Sequence, residues 1–233
     1  MINELEIKRI DSILSTYVNS DGNVDYLALA MTDYVVRYVE SLKTFDTANL
    51  GTKNEKLAFW INAYNMITIY GVIEAIKKDH AFIKKGNRGL LDKFKFFFMN
   101  KYTIAGKKHN LLDIENRILK KCSDPRVHFA LVCGTGSCPL LKNGLYSSTE
   151  IDKELDIAAK LFINSPKGIT LDKENNIIYL SSIFKWYRKD FGNEKHSVLK
   201  FIARYHAEKE FIEKNLDRLK IRYLGYDWGL NIK

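Results

Sequence analysis

The run from residue 54 to residue 78 most constrains how this chain of 233 residues can fold. Its apolar residues recur at three- and four-residue steps, which is the period of an α-helix. Apolar residues also occupy most of the positions between those steps: Leu57, Ala58, Phe59, Trp60, Ile61, Ala63, Tyr64, Met66, Ile67 and Tyr70. A helix that is apolar almost all round belongs inside a core, so we expect the rest of the chain to pack around it. Asn62 and Asn65 lie on the same helix, and their amides need hydrogen-bond partners if they are buried.

The remaining patterns predict a helical N-terminal third, followed by strands and further helices. Helical spacing also occurs at residues 4–17, 26–42, 112–121, 148–162, 182–191 and 198–211. Short apolar or aromatic runs predict strands at residues 94–98, 102–104, 127–133, 169–171, 177–180 and 221–224. The run at 127–133 is continuously apolar, as in the interior of a sheet. The predicted fold class is therefore α+β, with a central, mostly antiparallel sheet flanked by helices, in a single domain over residues 1–233.

The net charge of +9 arises in one stretch of the chain. Lys77 to Lys121 holds 13 Lys and Arg residues against 4 Asp and Glu residues. Lysine predominates there, whereas base-specific readout of nucleic acid relies on bidentate arginine. The stretch predicts either a solvated lysine-rich face or a contact with an acidic protein partner, and it argues against nucleic acid.

Hydropathy and cysteine content indicate the cellular location of the protein. No apolar run reaches the roughly 18 residues that a membrane span needs. The three cysteines are odd in number and irregular in spacing, unlike an extracellular disulfide framework. These features predict a soluble cytoplasmic protein, or an exported one if a signal peptide has been removed.

Candidate chemistry is concentrated in residues 128–139, which read His-Phe-Ala-Leu-Val-Cys-Gly-Thr-Gly-Ser-Cys-Pro. Cys138 stands between a glycine-containing loop and Pro139, and proline suits the first turn of a helix. A thiol at the positive end of a helix has a lowered pKa and is more often the nucleophilic thiolate. The loop at 134–137 would also turn backbone N–H groups toward one point, as an oxyanion cradle requires. We therefore predict that Cys138 is a nucleophile; the alternative is a small apolar residue packed after a tight turn.

His128 is the candidate general base, and Glu115 is the candidate group that orients it, with Asn62 as the alternative. On a strand, His128 and Cys133 would face opposite sides, and about 16 Å would separate the strand ends, so this pairing requires the loop to fold back. A structural histidine, and a Glu115 paired with lysine, are the alternatives. Cys133 and Cys138 could instead form a redox pair. The spacing lacks the short gap and the fourth ligand of zinc sites, so neither a metal nor another cofactor is predicted.

Seven motifs occur in order along the chain: residues 24–27, 57–65, 112–115, 124–133, 137–140, 179–187 and 226–228. Together they resemble the DUF547 family, a domain of unknown function, over residues 24–228. The resemblance implies one domain, and it implies thiol or glutathione chemistry because some relatives carry a glutaredoxin-like domain. Plant relatives with a leucine-zipper segment look like interaction proteins, and many bacterial relatives begin with export signals. The chain departs from the family's pattern at Asn116, where the family usually has histidine.

The family's motifs fall on polar groups that fit a functional cleft or a set of buried structural pairs. Those without a catalytic role in the hypothesis above are candidate substrate-binding residues: Asn62, Asn65, Arg126 and Lys185. The leading hypothesis is a cysteine-dependent enzyme acting on an amide, thioester, peptide or thiol-containing small molecule, with a fold analogous to thiol peptidases and transglutaminases. The alternatives are a non-catalytic protein-binding module and a thiol redox protein that uses Cys133 and Cys138.

Overall fold

The computed structural model describes residues 4–87, 89 and 95–233. Its α-helices are Glu4–Tyr17 (α1), Tyr26–Ala30 (α2), Tyr34–Leu42 (α3), Lys53–Lys78 (α4), Phe82–Lys85 (α5), Leu111–Asp113 (α6), Ile151–Ile163 (α7), Ser182–Trp186 (α8), Lys195–Ala203 (α9) and Lys209–Lys214 (α10). Tighter or wider helical turns occur at Thr47–Asn49, Lys95–Met99, Ile114–Ile118, Leu119–Cys122 and Pro125–Phe129. The strands are Tyr102–Ile104 (β1), Lys107–His109 (β2), Ile169–Asp172 (β3), Ile177–Leu180 (β4) and Lys220–Tyr223 (β5).

The strands of the described residues form two small sheets. β1 and β2 pair as an antiparallel hairpin in which Tyr102 lies opposite His109. β3 and β4 pair antiparallel, and β5 joins the free edge of β4 in parallel, with Ile178 opposite Ile221. The α+β class is confirmed, and so are the predicted hairpin near residues 169–180 and the predicted last strand.

Helix α4 is the centre of the first hydrophobic cluster, as its sequence predicts. The helix begins at a capping box, in which the Thr52 side chain accepts from the Glu55 N–H and the Glu55 carboxylate accepts from the Thr52 N–H. Sixteen of its 26 residues are buried. A helix with so many buried positions is held by packing on several sides, and α2, α3, α7 and the helical turns that begin at α6 supply those contacts.

A second hydrophobic cluster lies in the C-terminal part of the chain. It is built from α7, α9 and α10 together with β3, β4 and the residues around α8. Phe129 belongs to this cluster, whereas its chain neighbours Val127 and Ala130 belong to the first. The segment around Phe129 therefore connects the two clusters, while the single domain expected over residues 1–233 stays a prediction.

The interior strand predicted at 127–133 is wrong. Asp124 accepts from the Arg126 N–H, and Pro125 opens a short 3-10 helix that continues to Phe129. Beyond it the chain forms no strand, and the Asn65 amide bonds the backbone there: its Nδ2 donates to Ala130 O and its Oδ1 accepts from Val132 N, both at 2.9 Å. One side-chain amide thus replaces part of a β-ladder.

Other predicted elements are shorter or different in kind. The helix predicted at 26–42 is divided into α2 and α3, and the one predicted at 198–211 into α9 and α10. In the second break the Asn164 side chain donates to Tyr205 O and accepts from Ala207 N, which holds the turn open. The strand predicted at 94–98 is a π-helical turn at Lys95–Met99, and its first residue lies outside the described ones. No helix follows Pro139, where residues 139–147 are irregular.

Within the described residues, no helix is both long enough and apolar enough to cross a membrane.

Candidate functional site

A pocket of about 560 Å³ opens beside the Cys133–Cys138 loop. We call it the aromatic pocket, because seven aromatic side chains of the described residues line it: Tyr64, Phe97, Phe98, Trp186, Tyr187, Tyr226 and Trp228. The other lining residues among those described are Leu112, Glu115, His128, Leu131, Cys133, Cys138, Pro139 and Ile183. A mostly apolar pocket of this size with a few polar groups suits a small organic molecule.

Cys133 and Cys138 form a disulfide in the wall of the aromatic pocket. Cys138 is only 4% exposed, whereas Cys133 is half-buried. Hydroxyl groups surround the bond: Tyr226 Oη lies 3.3 Å from both sulfurs, and Thr135 Oγ1 lies 3.2 Å and 3.3 Å from them. The Cys133 N–H also points at the Cys138 sulfur, at 3.1 Å. Three groups that can donate therefore lie around Cys138 Sγ, although Thr135 Oγ1 is also 3.2 Å from Tyr226 Oη and has one proton to share between the two.

The loop between the two cysteines owes its shape to a glycine and to the C-terminal segment. Gly134 has φ +73°, a conformation that side chains rarely adopt, and an added Cβ would lie 3.1 Å from Val72. The N–H groups of Gly136 and Ser137 donate to carbonyl groups of residues 229 and 227. The oxyanion cradle predicted at 134–137 is therefore wrong for these two donors, because the C-terminal segment already takes them.

His128 is bound to Asp190, a partner that the sequence did not suggest. Its Nε2 lies 3.0 Å from Asp190 Oδ2, and its ring stacks on Tyr187 with 3.9 Å between centroids. Burial lowers the pKa of His128 below its usual value, and Asp190 offsets part of that effect. The neutral ring is therefore favoured, with Nε2–H donating to the carboxylate and Nδ1 left as an acceptor. Nδ1 is buried and has no hydrogen-bond partner among the described residues.

Glu115 stands next to this unpaired nitrogen, with 3.9 Å between its Oε1 and His128 Nδ1. That separation is too long for a hydrogen bond, so the two polar atoms are neighbours without a direct bond between them. Burial raises the pKa of Glu115, and the nearby hydroxyls of Tyr187 and Tyr64 offset part of the shift. The carboxyl therefore keeps its proton to a higher pH than an exposed glutamate does.

Glu115 and His128 also line a second, more polar pocket of about 310 Å³. Lys120, Lys189 and Asp190 are among its other lining residues. The two side chains therefore separate the aromatic pocket from a polar cleft.

The amides of Asn62 and Asn65 hold the backbone instead of facing the aromatic pocket. Asn62 Nδ2 donates to Tyr146 O at 2.9 Å, and its Oδ1 accepts from Tyr146 N at 2.8 Å. Asn65 makes the equivalent pair of bonds to the segment that precedes Cys133. Neither is among the described residues that line the pocket, so a substrate-binding role for them stays a prediction.

Arg126 and Lys185 also lie away from the aromatic pocket. Arg126 binds the carboxylates of Asp124, Asp152 and Asp156 at 2.7, 2.6 and 2.8 Å, which joins the 3-10 helix to α7. The Lys185 ammonium lies 5.7 Å from the centre of the Tyr223 ring. These contacts are structural, and substrate binding by the two residues stays untested.

Asn116, where the family usually has histidine, is exposed and bonds within its own helix to Leu112 O. It is not among the described lining residues of either pocket. The departure from the family's pattern therefore leaves the aromatic pocket intact, and the histidine that reaches this pocket is His128.

A scan against models of known protein families found one that matches this chain. A family described as "Protein of unknown function, DUF547" matches residues 48–163. The chain belongs to the DUF547 family. The DUF547 match covers about half of the chain and includes both cysteines, Glu115 and His128. Comparisons with curated proteins and with solved structures found no match.

The DUF547 segment does not hold the whole site, because Tyr187, Asp190 and Tyr226 follow its last matched residue, 163. The sequence motifs at 179–187 and 226–228 point to two of these residues, whereas nothing near Asp190 suggests a role. Among the described residues, no group of three or more His, Cys, Asp or Glu side chains could hold a metal ion.

Proposed function

We propose that this protein is a thiol–disulfide oxidoreductase that exchanges its Cys133–Cys138 pair with a small apolar thiol or disulfide. The observation that carries the proposal is the position of the pair: both sulfurs line the aromatic pocket, and hydroxyl and N–H donors are directed at them. A pair that cycles between two redox states also suits the reducing cytoplasm that we propose as its location.

A purely structural disulfide would contribute little at this place. The two cysteines are 5 residues apart, and closing so short a loop stabilises a fold by about 2 kcal/mol on the chain-entropy model. The chain already buries two large hydrophobic clusters. A disulfide that faces a ligand-sized pocket therefore fits exchange better than reinforcement.

The exchange is a two-electron transfer in two steps. In the reduced protein, the Cys133 thiolate attacks one sulfur of a substrate disulfide, which forms a mixed disulfide and releases the first substrate thiolate. Cys138 then attacks Cys133 Sγ, the protein disulfide closes, and the second substrate thiolate leaves and takes a proton. The reverse sequence oxidises two substrate thiols to a disulfide.

The two sulfurs have different parts in this scheme because their environments differ. Cys133 is the more accessible sulfur and therefore carries the mixed disulfide. In the oxidising direction Cys138 is the leaving group, and the three donors around it stabilise its negative charge. The sequence hypothesis of an amide or thioester hydrolase requires a free Cys138 sulfur, so it would apply only to the reduced protein.

His128 and Asp190 supply the base in this scheme. The neutral imidazole, held at Nε2 by Asp190, presents Nδ1 as an acceptor for the proton of the attacking thiol. Glu115, beside Nδ1, takes part in moving that proton between the aromatic pocket and the polar cleft.

The first test of the proposal is the redox equilibrium of the native protein. We expect the pair to equilibrate with thiol buffers at a potential between about −180 and −270 mV, the range of disulfide-exchange proteins. Alkylation followed by mass spectrometry reads the state directly, because one thiol is free in the oxidised protein and three are free after reduction. A disulfide that resists these buffers until the protein is unfolded would be structural and would contradict the proposal.

The second test removes the base. At pH 7 we expect His128→Gln to slow the single-turnover reaction of the reduced protein with dithiodipyridine, an uncharged aromatic disulfide, by about 100-fold. Asp190→Asn should slow it too, because the ring loses the acceptor that fixes its tautomer. Since burial lowers the pKa of His128, the neutral base persists on acidification, and the acid limb of the wild-type rate profile should lie below pH 6.5.

A matched control exists in the exposed pair His196 and Asp217, whose Nε2–Oδ1 distance is 2.9 Å. His196→Gln should leave the rate unchanged. Equal rates for His128→Gln and wild type across the pH range would remove His128 from the mechanism.

A further inference from the structure

A third concave site lies at the N-terminal end of α4. We call this pocket of about 600 Å³ the basic pocket. Its lining includes four cations, an indole and a thiol: Lys53, Lys56, Arg117, Lys121, Trp60 and Cys122. None of its described lining residues carries a carboxylate.

The tertiary structure creates this concentration of charge. Lys53 and Lys56 come from the first turns of α4, whereas Arg117 and Lys121 come from the helical turns after α6, more than 60 positions later in the chain. Arg117 has a carboxylate partner, with 3.3 Å between its Nε and Asp113 Oδ1. In the part of the chain that the structure describes, Lys53, Lys56 and Lys121 form no ion pair within 4.0 Å. Like charges gathered in one concavity repel each other unless an anion occupies it.

Trp60 adds a flat apolar surface to this charged pocket. The half-buried indole is held by edge contacts, with its centroid 5.2 Å from the Phe59 ring and 5.6 Å from the His109 ring. Because the indole is only half-buried and lines the pocket, part of its surface is left for a ligand. Aromatic side chains in such positions stack on nucleobases, whatever the base.

We propose that the basic pocket binds a nucleoside di- or triphosphate, with the phosphates on Lys53, Lys56, Lys121 and Arg117 and the base against Trp60. Lysine binds phosphate as a point charge and arginine binds it through its planar fork. Several cations within one pocket match the several negative charges of a di- or triphosphate. The volume suits one small molecule, whereas a docked acidic protein would require a broad, flat surface.

Cys122 gives a direct readout of occupancy. In the oxidised protein it is the free cysteine, so alkylation by iodoacetamide reports on this pocket alone. The reaction should be run above about pH 8.5, because burial raises the pKa of this thiol and outweighs the lysines nearby. ATP at ten times its dissociation constant should slow alkylation about tenfold, and added salt should reverse the protection.

Three probes test the phosphate site and the base site separately: ATP, tripolyphosphate and adenosine. We expect ATP to protect best, tripolyphosphate to protect more weakly, and adenosine to give no protection at the same concentration. The double variant Lys53→Ala/Lys121→Ala should weaken protection by ATP about tenfold or more. Lys78→Ala, at the opposite end of the same helix, is the matched control and should have no effect.

Three results would overturn the proposal. Absence of protection by both ATP and tripolyphosphate would show that the pocket takes no phosphate. Equal protection by these two probes would leave an anion site without a nucleoside subsite. Loss of protection in Lys78→Ala to the same degree as in the double variant would indicate general charge attraction.

Discussion

Replacing Cys133 with serine is expected to slow the reaction of the reduced protein with dithiodipyridine by about 1,000-fold or more, because the accessible sulfur of the exchanging pair is then missing. The remaining cysteine of the pair, Cys138, also lines the pocket but is only 4% exposed, so a bulky disulfide should react with it slowly. The rate is measured in stopped flow from the release of pyridinethione.

Cys138→Ser should behave differently from Cys133→Ser, so each variant serves as the control for the other. Cys138→Ser keeps the accessible Cys133, so in a Cys122→Ser background, which removes the third thiol, the first attack should remain fast and release one pyridinethione. The second step has lost its sulfur, so a mixed disulfide should accumulate on Cys133 and be identified by mass spectrometry after proteolysis. Accumulation of the mixed disulfide on Cys138 in Cys133→Ser, at a rate near that of wild type, would reverse the roles that we assign.

Replacing Asn65 with alanine is expected to lower the free energy of unfolding by about 3–5 kcal/mol. The change leaves the Ala130 carbonyl and the Val132 N–H without partners in the core, and each buried unpaired group costs roughly 1–3 kcal/mol. It also leaves a cavity beside a helix whose packed neighbours cannot close it without moving. Denaturant unfolding measures the loss.

Asn116→Ala is the matched control for this prediction. Asn116 is exposed and makes a single 3.3 Å bond to a carbonyl of its own helix, so its loss should cost less than about 0.5 kcal/mol. Because Asn65 fixes the segment that leads into Cys133, the alanine variant should also exchange thiols more slowly. A stability within about 1 kcal/mol of wild type would show that other groups hold this segment.

The sequence predicted the elements whose signals are local. The apolar period of α4, its start near Thr52 and the hairpin formed by β3 and β4 depend on residues within a few positions of one another. The need of the Asn65 amide for partners was also predictable, because a polar group on an apolar helix must be bonded when it is buried. The identity of those partners was not.

The segment before Cys133 shows why a short stretch of sequence does not always predict its own secondary structure. An apolar run such as 127–133 fits a buried strand as well as a buried loop, since both remove the same side chains from water. What decides between them is the source of the backbone hydrogen bonds. Here the source is Asn65, more than 60 positions earlier in the chain.

The sequence by itself determined the α+β class, the central helix and the segment from His128 to Cys138 as part of the candidate site. Only the tertiary structure decided which side chains complete the site, because the contacts join distant positions: 62 residues separate His128 from Asp190, and 88 separate Cys138 from Tyr226. Helical period and capping act over a single turn and are therefore visible along the chain. The partners of a buried imidazole or a disulfide are set by how the packed elements meet, and no short window of sequence contains that information.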